Sequence, residues 1–308
     1  GIHSPTFPLG TAFVCAHARK HFGGQFDFQL FKFPKDLSQK ILEDPPAVLA
    51  FSNYSWNLEL SYKLAVWALK TLPDIVVIFG GPNFPTQSKE KRQFFENRPD
   101  IDFYIENEGE VGFVRLIEKL AKSDFDVSRM KDAQPVIPNC AYMTQGRLVE
   151  GPIERILNVN AIPSPYLTGI LDDFFSSPLT PLIETARGCP FSCTFCADGL
   201  ESKNRVTHFE QARVREELDY MQSRITGVDE IIITDLNFGM YKEDLETAKY
   251  IARIQEDKGW PVLVKASAGK NKPERLIEVA EVLKGSWMVG SAIQSSDDEV
   301  LKNIKRGN

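Results

Sequence analysis

Apolar and polar positions alternate along this chain in two rhythms that replace one another at short intervals. "LGTAFVCAHARKHFG" has helical spacing and ends on Gly, "AVLAFS" is a short apolar run of buried-strand type, "LELSYKLAVWALKTL" is helical again and "DIVVIFGG" is a second strand. "IDFYIENEGE" continues with a short strand running into a loop, and "VGFVRLIEKLAK" follows as an amphipathic helix. Such a pattern predicts a parallel α/β sheet whose strand-end loops, "SNYSWN", "GGPNFP" and "ENEGE", gather at the carboxyl edge, where open sheets bind ligands. Between 126 and 180 the character changes: a charged patch, a hairpin through "CAYMTQGRLVEG", and a Pro- and Ser-rich stretch "AIPSPYLTGILDDFFSSPLTP" that reads as a linker. The alternation then restarts. "PLIETA", "DEIIITD", "PVLVKAS" and "WMVGSAIQ" read as strands, with helices near 207–224, 242–257 and 273–284, as expected of a second, barrel-like parallel domain.

Composition narrows the class. The chain has 308 residues, 43% hydrophobic and 25% charged, enough for two medium domains with their own cores. Its net charge is -6 and its Lys and Arg are scattered, so the basic stripe of a nucleic-acid binder is missing. No run approaches the roughly 18 apolar residues of a membrane span, and "GIHSPTFPLG" lacks the features of a signal peptide, so a cytoplasmic protein is expected. Five cysteines are present; Cys189, Cys193 and Cys196 cluster, while Cys15 and Cys140 stand alone. In a reducing compartment that pattern points to metal binding before disulfides.

The cluster lies in "TARGCPFSCTFCADG". A structural zinc site closes a tetrahedron with four ligands, and no further Cys or His pair follows. A disulfide would leave one thiol over. Three thiolates can instead hold three corners of a 4Fe-4S cluster and leave the fourth iron open to a ligand. The CxxxCxxC spacing, Phe195 before the last cysteine, and the strand "PLIETA" leading into the loop resemble the radical S-adenosylmethionine (SAM) superfamily. The resemblance implies a 4Fe-4S cluster on Cys189, Cys193 and Cys196, SAM chelated at the free iron, and one-electron cleavage to a 5'-deoxyadenosyl radical. An electron donor such as flavodoxin or ferredoxin is implied as well.

Further positions follow from that resemblance. Phe195 lies beside the cluster and SAM. "TDLNFGMY" occupies the place where the superfamily touches the SAM amino group, making Asp235 and Asn237 candidates; Gln294 and Ser295 of "SAIQSSDDEVLKNIKRGN" match a pair that reaches the SAM ribose or carboxylate. Lys265 and Ser267 end the third strand and are further SAM candidates. Each of these polar residues would serve equally well to satisfy backbone groups at a strand end.

The first domain resembles the cobalamin-binding domain that precedes the radical SAM barrel in one branch. "FSNYSWN", "VVIFGGPNFP" and "DFYIENEGEVGFVRLIEKL" carry the likeness. It implies cobalamin contacts from Ser52, Asn53, Tyr54, Ser55, Trp56, Asn57, Gly80, Gly81, Pro82, Asn83, Glu108 and Gly109, with the glycines admitting close backbone approach. Trp56 could instead pack at a domain interface. The cobalt-ligating motif DxHxxG is not matched, since Arg19 stands where "RKHFGG" would need Asp, so His21 is not assigned to cobalt.

The implied fold is α/β: a Rossmann-like, doubly wound cobalamin-binding domain over 1–125, a linker or hairpin region over 126–180, and a partial radical SAM TIM barrel over 181–308. The barrel is incomplete after its fourth strand and the first domain opens directly on a helix, so a longer physiological chain is expected. The implied activity is that of a cobalamin-dependent radical SAM enzyme, foremost a methyltransferase acting at an unactivated carbon. Rearrangement, cyclisation, oxidation or methylthiolation by the same radical start stays open, as does a non-catalytic cobalamin or Fe-S sensor. The catalytic residues and the substrate, a small molecule or a peptide, are not readable. Tyr166, Phe174 and Phe175 read as interdomain packing, and Asp172 and Asp173 as a solvated turn.

Overall fold

Alternate residues of one five-residue strand, Val76 and Ile78 against Val77 and Phe79, enter two different apolar clusters. Both faces of the sheet that holds this strand are therefore covered, and its run "VVIF" is continuously apolar for that reason. In the computed structural model residues 5–290 and 292–306 are described. Gly1–Ser4, Ser291 of the expected fourth barrel strand, and Gly307 and Asn308 lie outside them. The chain divides into two units: the first is Gly1–Ser4 with Phe13–Ile156, the second Pro5–Ala12 with Leu157–Asn308.

The first unit holds α1 (Leu9–Phe22, whose first turn groups with the second unit), α2 (Pro34–Glu43), β1 (Val48–Ser52), α3 (Leu58–Thr71), β2 (Val76–Gly80), α4 (Ser88–Glu96), β3 (Phe103–Ile105), α5 (Gly109–Ala121), α6 (Val127–Asp132), β4 (Cys140–Thr144) and β5 (Arg147–Glu150). Sheet order is β1-β2-β3-β4-β5. β1, β2 and β3 run parallel; β4 and β5 are antiparallel additions. One face packs on α1, α5 and α6 through Ala18, Leu116, Ile117 and Met130. The other packs on α2, α3 and α4 through Ile41, Ala65, Ala68, Phe94 and Phe95.

Among the described residues the strands of this sheet follow chain order. The region 126–180 is no separate linker: it divides between the two units at Ile156 and Leu157. The expected hairpin through 140–151 forms and extends the sheet. Tyr104 pairs with Ala141, and the side chains of Cys140 and Tyr142 bury in one cluster while Ala141 buries in the other.

The second unit holds β6 (Leu182–Ile183), β7 (Ala186–Arg187), β8 (Thr207–His208), α7 (Gln211–Gln222), β9 (Glu230–Phe238), α8 (Lys242–Lys258), β10 (Leu263–Ala268), α9 (Pro273–Val282), β11 (Trp287–Gly290) and α10 (Asp298–Asn303). A parallel sheet runs in the order β11-β10-β9-β6. β7 and β8 form a separate antiparallel pair. α8 begins in a capping box between Tyr241 and Asp244 and ends at Gly259 in the left-handed conformation, so both of its limits are written locally. Tyr166, Phe174 and Phe175 belong to this unit's own core: Phe7 lies 6.2, 6.1 and 5.0 Å from their ring centres. Asp172 accepts a hydrogen bond from Tyr220 Oη at 2.6 Å. Among the described residues no helix is long and apolar enough to cross a membrane.

Candidate functional site

The three-cysteine loop springs from a closed neck. Ala186 pairs with His208 and Arg187 with Thr207, while Cys189 N–H donates to the Lys203 carbonyl at 3.1 Å. Gly188, at φ +105°, fits only as glycine, because a Cβ there would collide with the Arg205 carbonyl oxygen. Inside the loop, Cys196 N–H donates to Cys193 O at 3.1 Å and Gly199 N–H to Cys196 O at 3.0 Å, two consecutive turns that present the sulfurs. Lys203 clamps Asp198 at 3.1 Å, and Thr194 N–H donates to Ile304 O at 3.0 Å, docking the loop on the end of α10.

The sulfurs receive hydrogen-bond donors. Asp198 N–H points at Cys196 Sγ at 3.4 Å, and Asn237 Nδ2 at Cys189 Sγ at 3.3 Å. Cys189 and Cys193 are buried, Cys196 is half-buried, and Phe195 is 52% exposed. Soft thiol donors with N–H groups directed at them are the donor set of an iron–sulfur site. Among the described residues no three His, Cys, Asp or Glu side chains converge as ligands of a single ion. Thiolates on separate irons of a cluster have no need to.

Around the loop, the expected SAM residues take different places. Asp235 is buried and accepts from Thr185 N–H at 2.8 Å and from Thr185 Oγ1, tying β9 to the segment before the loop. Burial pushes its carboxyl from the ordinary 3.8 up to about 8. The pairing of β9 with β10 passes from Ala266↔Ile233 to Ala268↔Phe238, so β9 carries extra residues at its carboxyl end. Burial alternates along β9, so Asp235 and Asn237 are buried as Ile231 and Ile233 are, while Leu236 is exposed. Lys265 pairs with Glu230, towards the opposite end of β9. Ser267 is exposed on the same face of β10 as Lys265, with Met288 of β11 beside Lys265. Gln294 is exposed with a positive φ of 72°, and Ser295 Oγ accepts from Asp297 N–H at 3.0 Å.

Two buried acceptors, Asn237 Oδ1 and Asp244 Oδ1, make no hydrogen bond. Both residues border a cavity that Ala186, Gly188, Asp235 and Tyr241 also line. Burial raises Asp244 to about 6 and Tyr241 to about 12. Asp244 and Tyr241, which border this cavity, were not among the sequence candidates; their one local signal is the helix-capping pattern at the start of α8.

In the first unit most of the expected polar contacts are internally engaged. Asn53 Nδ2 donates to Asn83 O at 2.7 Å and to Tyr104 Oη at 2.9 Å, and Tyr104 Oη donates to Gly81 O at 2.9 Å. Gly81, at φ +129°, is required by this knot: a Cβ would stand 2.7 Å from Asn53 O. Gly80 is less constrained, a Cβ there standing 3.3 Å from Ile105 O, and Gly109 faces Val14. Asn57 Oδ1 accepts from Tyr54 N–H at 2.7 Å while its Nδ2 donates to Ser52 O at 3.0 Å, stapling the turn. Glu108 pairs with Arg155 at 3.2 Å and accepts from Ile156 N–H at 2.5 Å. Ser55, Pro82 and Trp56 remain exposed, the indole stacked on Tyr54 at 4.6 Å. His21 contacts Glu118 at 2.8 Å.

A three-cysteine loop leaving the first strand of a parallel α/β sheet defines a class, and the Radical SAM superfamily profile matches residues 183–308. Residues 183–308 thus carry a radical SAM superfamily domain. Across 99% of its length it is 29% identical to the protein named "Cobalamin-dependent radical SAM methyltransferase TokK" of Streptomyces tokunonensis. It is 30% identical, again across 99%, to the "2-(S-pantetheinyl)-carbapenam-3-carboxylate methyltransferase" of Streptantibioticus cattleyicolor. The chain spans 45% of the length of each. Its fold resembles that of the cobalamin-dependent SAM radical enzyme OxsB, solved with aqua-cobalamin and SAM, with a TM-score of 0.68 at 17% identity, covering 99% of this chain and 44% of that one.

Proposed function

We propose that this chain is the cofactor-binding part of a cobalamin-dependent radical SAM enzyme that transfers a methyl group to an unactivated carbon. The observation that carries the reading is the Cys189, Cys193 and Cys196 loop, closed at its neck by β7 and β8 and supplied with N–H donors at its sulfurs. These cysteines would hold a 4Fe-4S cluster with one iron left open. When bound, the cluster and SAM supply a 5'-deoxyadenosyl radical, and cobalamin supplies a methyl carrier.

The residues of the chain bind, orient and shield. Asn237 Oδ1 and Asp244 Oδ1 are buried acceptors lacking a donor, beside a cavity with room for about one water, and are suited to a bridging water. Ser267 of β10, Met288 of β11 and Gln294 in the loop that follows are exposed, and on this reading they are the residues SAM would meet. In the first unit, cobalamin would meet Trp56, Ser55 and Pro82, while the knot of Asn53, Gly81, Asn83 and Tyr104 holds these loops in shape. A one-electron donor such as flavodoxin or ferredoxin is the required partner. The relative named for a pantetheinyl carbapenam carboxylate makes small thioether carboxylates the first substrate class to try.

The test is anaerobic reconstitution of the full-length protein, incubated with reductant, cobalamin, methyl-labelled SAM and a small thioether carboxylate as acceptor. 5'-Deoxyadenosine is expected, together with label in the product. Unchanged 5'-deoxyadenosine after replacing all three cysteines by Ala would refute the radical reading; turnover without label in any product would refute methyl transfer.

A further inference from the structure

Cys189 stands apart from Cys196 in the origin of its donors. Cys196 Sγ takes a backbone N–H from its own turn. Cys189 Sγ takes two side-chain donors from distant strand ends: Asn237 Nδ2 at 3.3 Å, from the end of β9, and Lys270 Nζ at 3.7 Å, from the segment after β10. Sequence spacing gave no sign of Lys270.

Both donors are held in place. Asn237 is only 4% exposed. Lys270 is half-buried, and its ammonium also lies 4.9 Å from the ring centre of Phe191, which sits between Cys189 and Cys193. The residue before it, Gly269, donates its N–H to Phe238 O at 2.9 Å, and a Cβ there would stand 2.7 Å from Met240 Cβ. The backbone that carries Lys270 is thus pinned to the strand end that carries Asn237.

N–H donors to a cluster thiolate disperse its negative charge, and a nearby ammonium adds direct attraction. Reduction adds an electron to the cluster, so both effects favour the reduced form over the oxidised one. We propose that Asn237 and Lys270 act through the Cys189 sulfur to raise the reduction potential of the cluster. They are positioning residues, and the inference rests on the reading of Cys189, Cys193 and Cys196 as cluster ligands.

The experiment is an EPR-monitored potentiometric titration of the anaerobically reconstituted full-length protein, after iron and sulfide have been counted. Lys270→Met and Asn237→Leu are each expected to move the midpoint to more negative potential, and the double variant further still. Lys270→Arg, which keeps a cationic N–H donor, should return towards wild type. Fully loaded variants that titrate at the wild-type midpoint overturn the proposal. Failure of the wild type to show a 4Fe-4S signature is a different result and overturns the cluster reading itself. If a substitution empties the site, pulsed EPR of the reduced wild type carrying 15N-lysine or 15N-asparagine decides: couplings from both labels support the proposal, and none from either defeats it.

Discussion

Gly199 lies so close to Cys193 that a Cβ on it would collide with the Cys193 carbonyl oxygen and stand 3.0 Å from its amide nitrogen. The second turn of the cysteine loop therefore closes only around a glycine. Gly199→Ala should destabilise the loop locally by about 2 kcal/mol. Most of the iron should be lost on reconstitution while far-UV circular dichroism is unchanged; full iron retention would show that the turn opens freely.

Iron binding should separate the five cysteines into two groups. Ala at Cys189, Cys193 or Cys196 should reduce bound iron to background. Cys15→Ala and Cys140→Ala should leave it intact, because burial pushes both thiols up and keeps them protonated, and a protonated thiol is a poor ligand. The loss there is one of packing, about 1 kcal/mol each, read from urea unfolding.

Asp235 gives the second unit a pH dependence of definite sign. With a folded pKa of about 8 against the ordinary 3.8, the folded state holds a proton that the unfolded state has released. Stability is fullest below about 4, falls as pH rises, and levels off above about 8. Asp235→Asn should flatten this part of the profile of thermal midpoint against pH. A profile unchanged by the substitution would show that another group carries the slope.

Lys91 joins α4 to the loop after β3 and to β5, contacting Glu106 Oε2 at 2.7 Å and Glu150 Oε1 at 2.8 Å. Burial raises the Glu106 carboxyl, and the lysine opposes that shift. Lys91→Met leaves two carboxylates without their cation and should cost about 3 kcal/mol. Adding Glu106→Gln should restore part of the loss. Additive effects of the two substitutions in chemical denaturation would rule out the coupling.

Much of the fold is legible because its signals are local. Continuous apolar runs mark β2 and the start of β9, and 3.6-residue spacing marks α3, α5 and α8. α4 escaped notice because "SKEKRQFFE" shows only two apolar side chains, the adjacent Phe94 and Phe95. "PLIETA" reads as one strand, yet it divides: Leu182–Ile183 join β9, while Ala186–Arg187 pair with β8 to close the cysteine loop. Strand partners are chosen by contacts across tens of residues, which no window of sequence contains.

The site shows the same division. The spacing of Cys189, Cys193 and Cys196 within one loop, and the superfamily it belongs to, were determined by the sequence itself, since ligand spacing and turn chemistry act over a few residues. The tertiary structure alone decided that Asp235 bonds to Thr185, that Asn53 bonds to both Asn83 and Tyr104, and that Asn237 and Lys270 meet at one sulfur. The physical reason is that a buried polar group bonds to whichever partner the packing brings within reach, and that packing joins residues tens of positions apart.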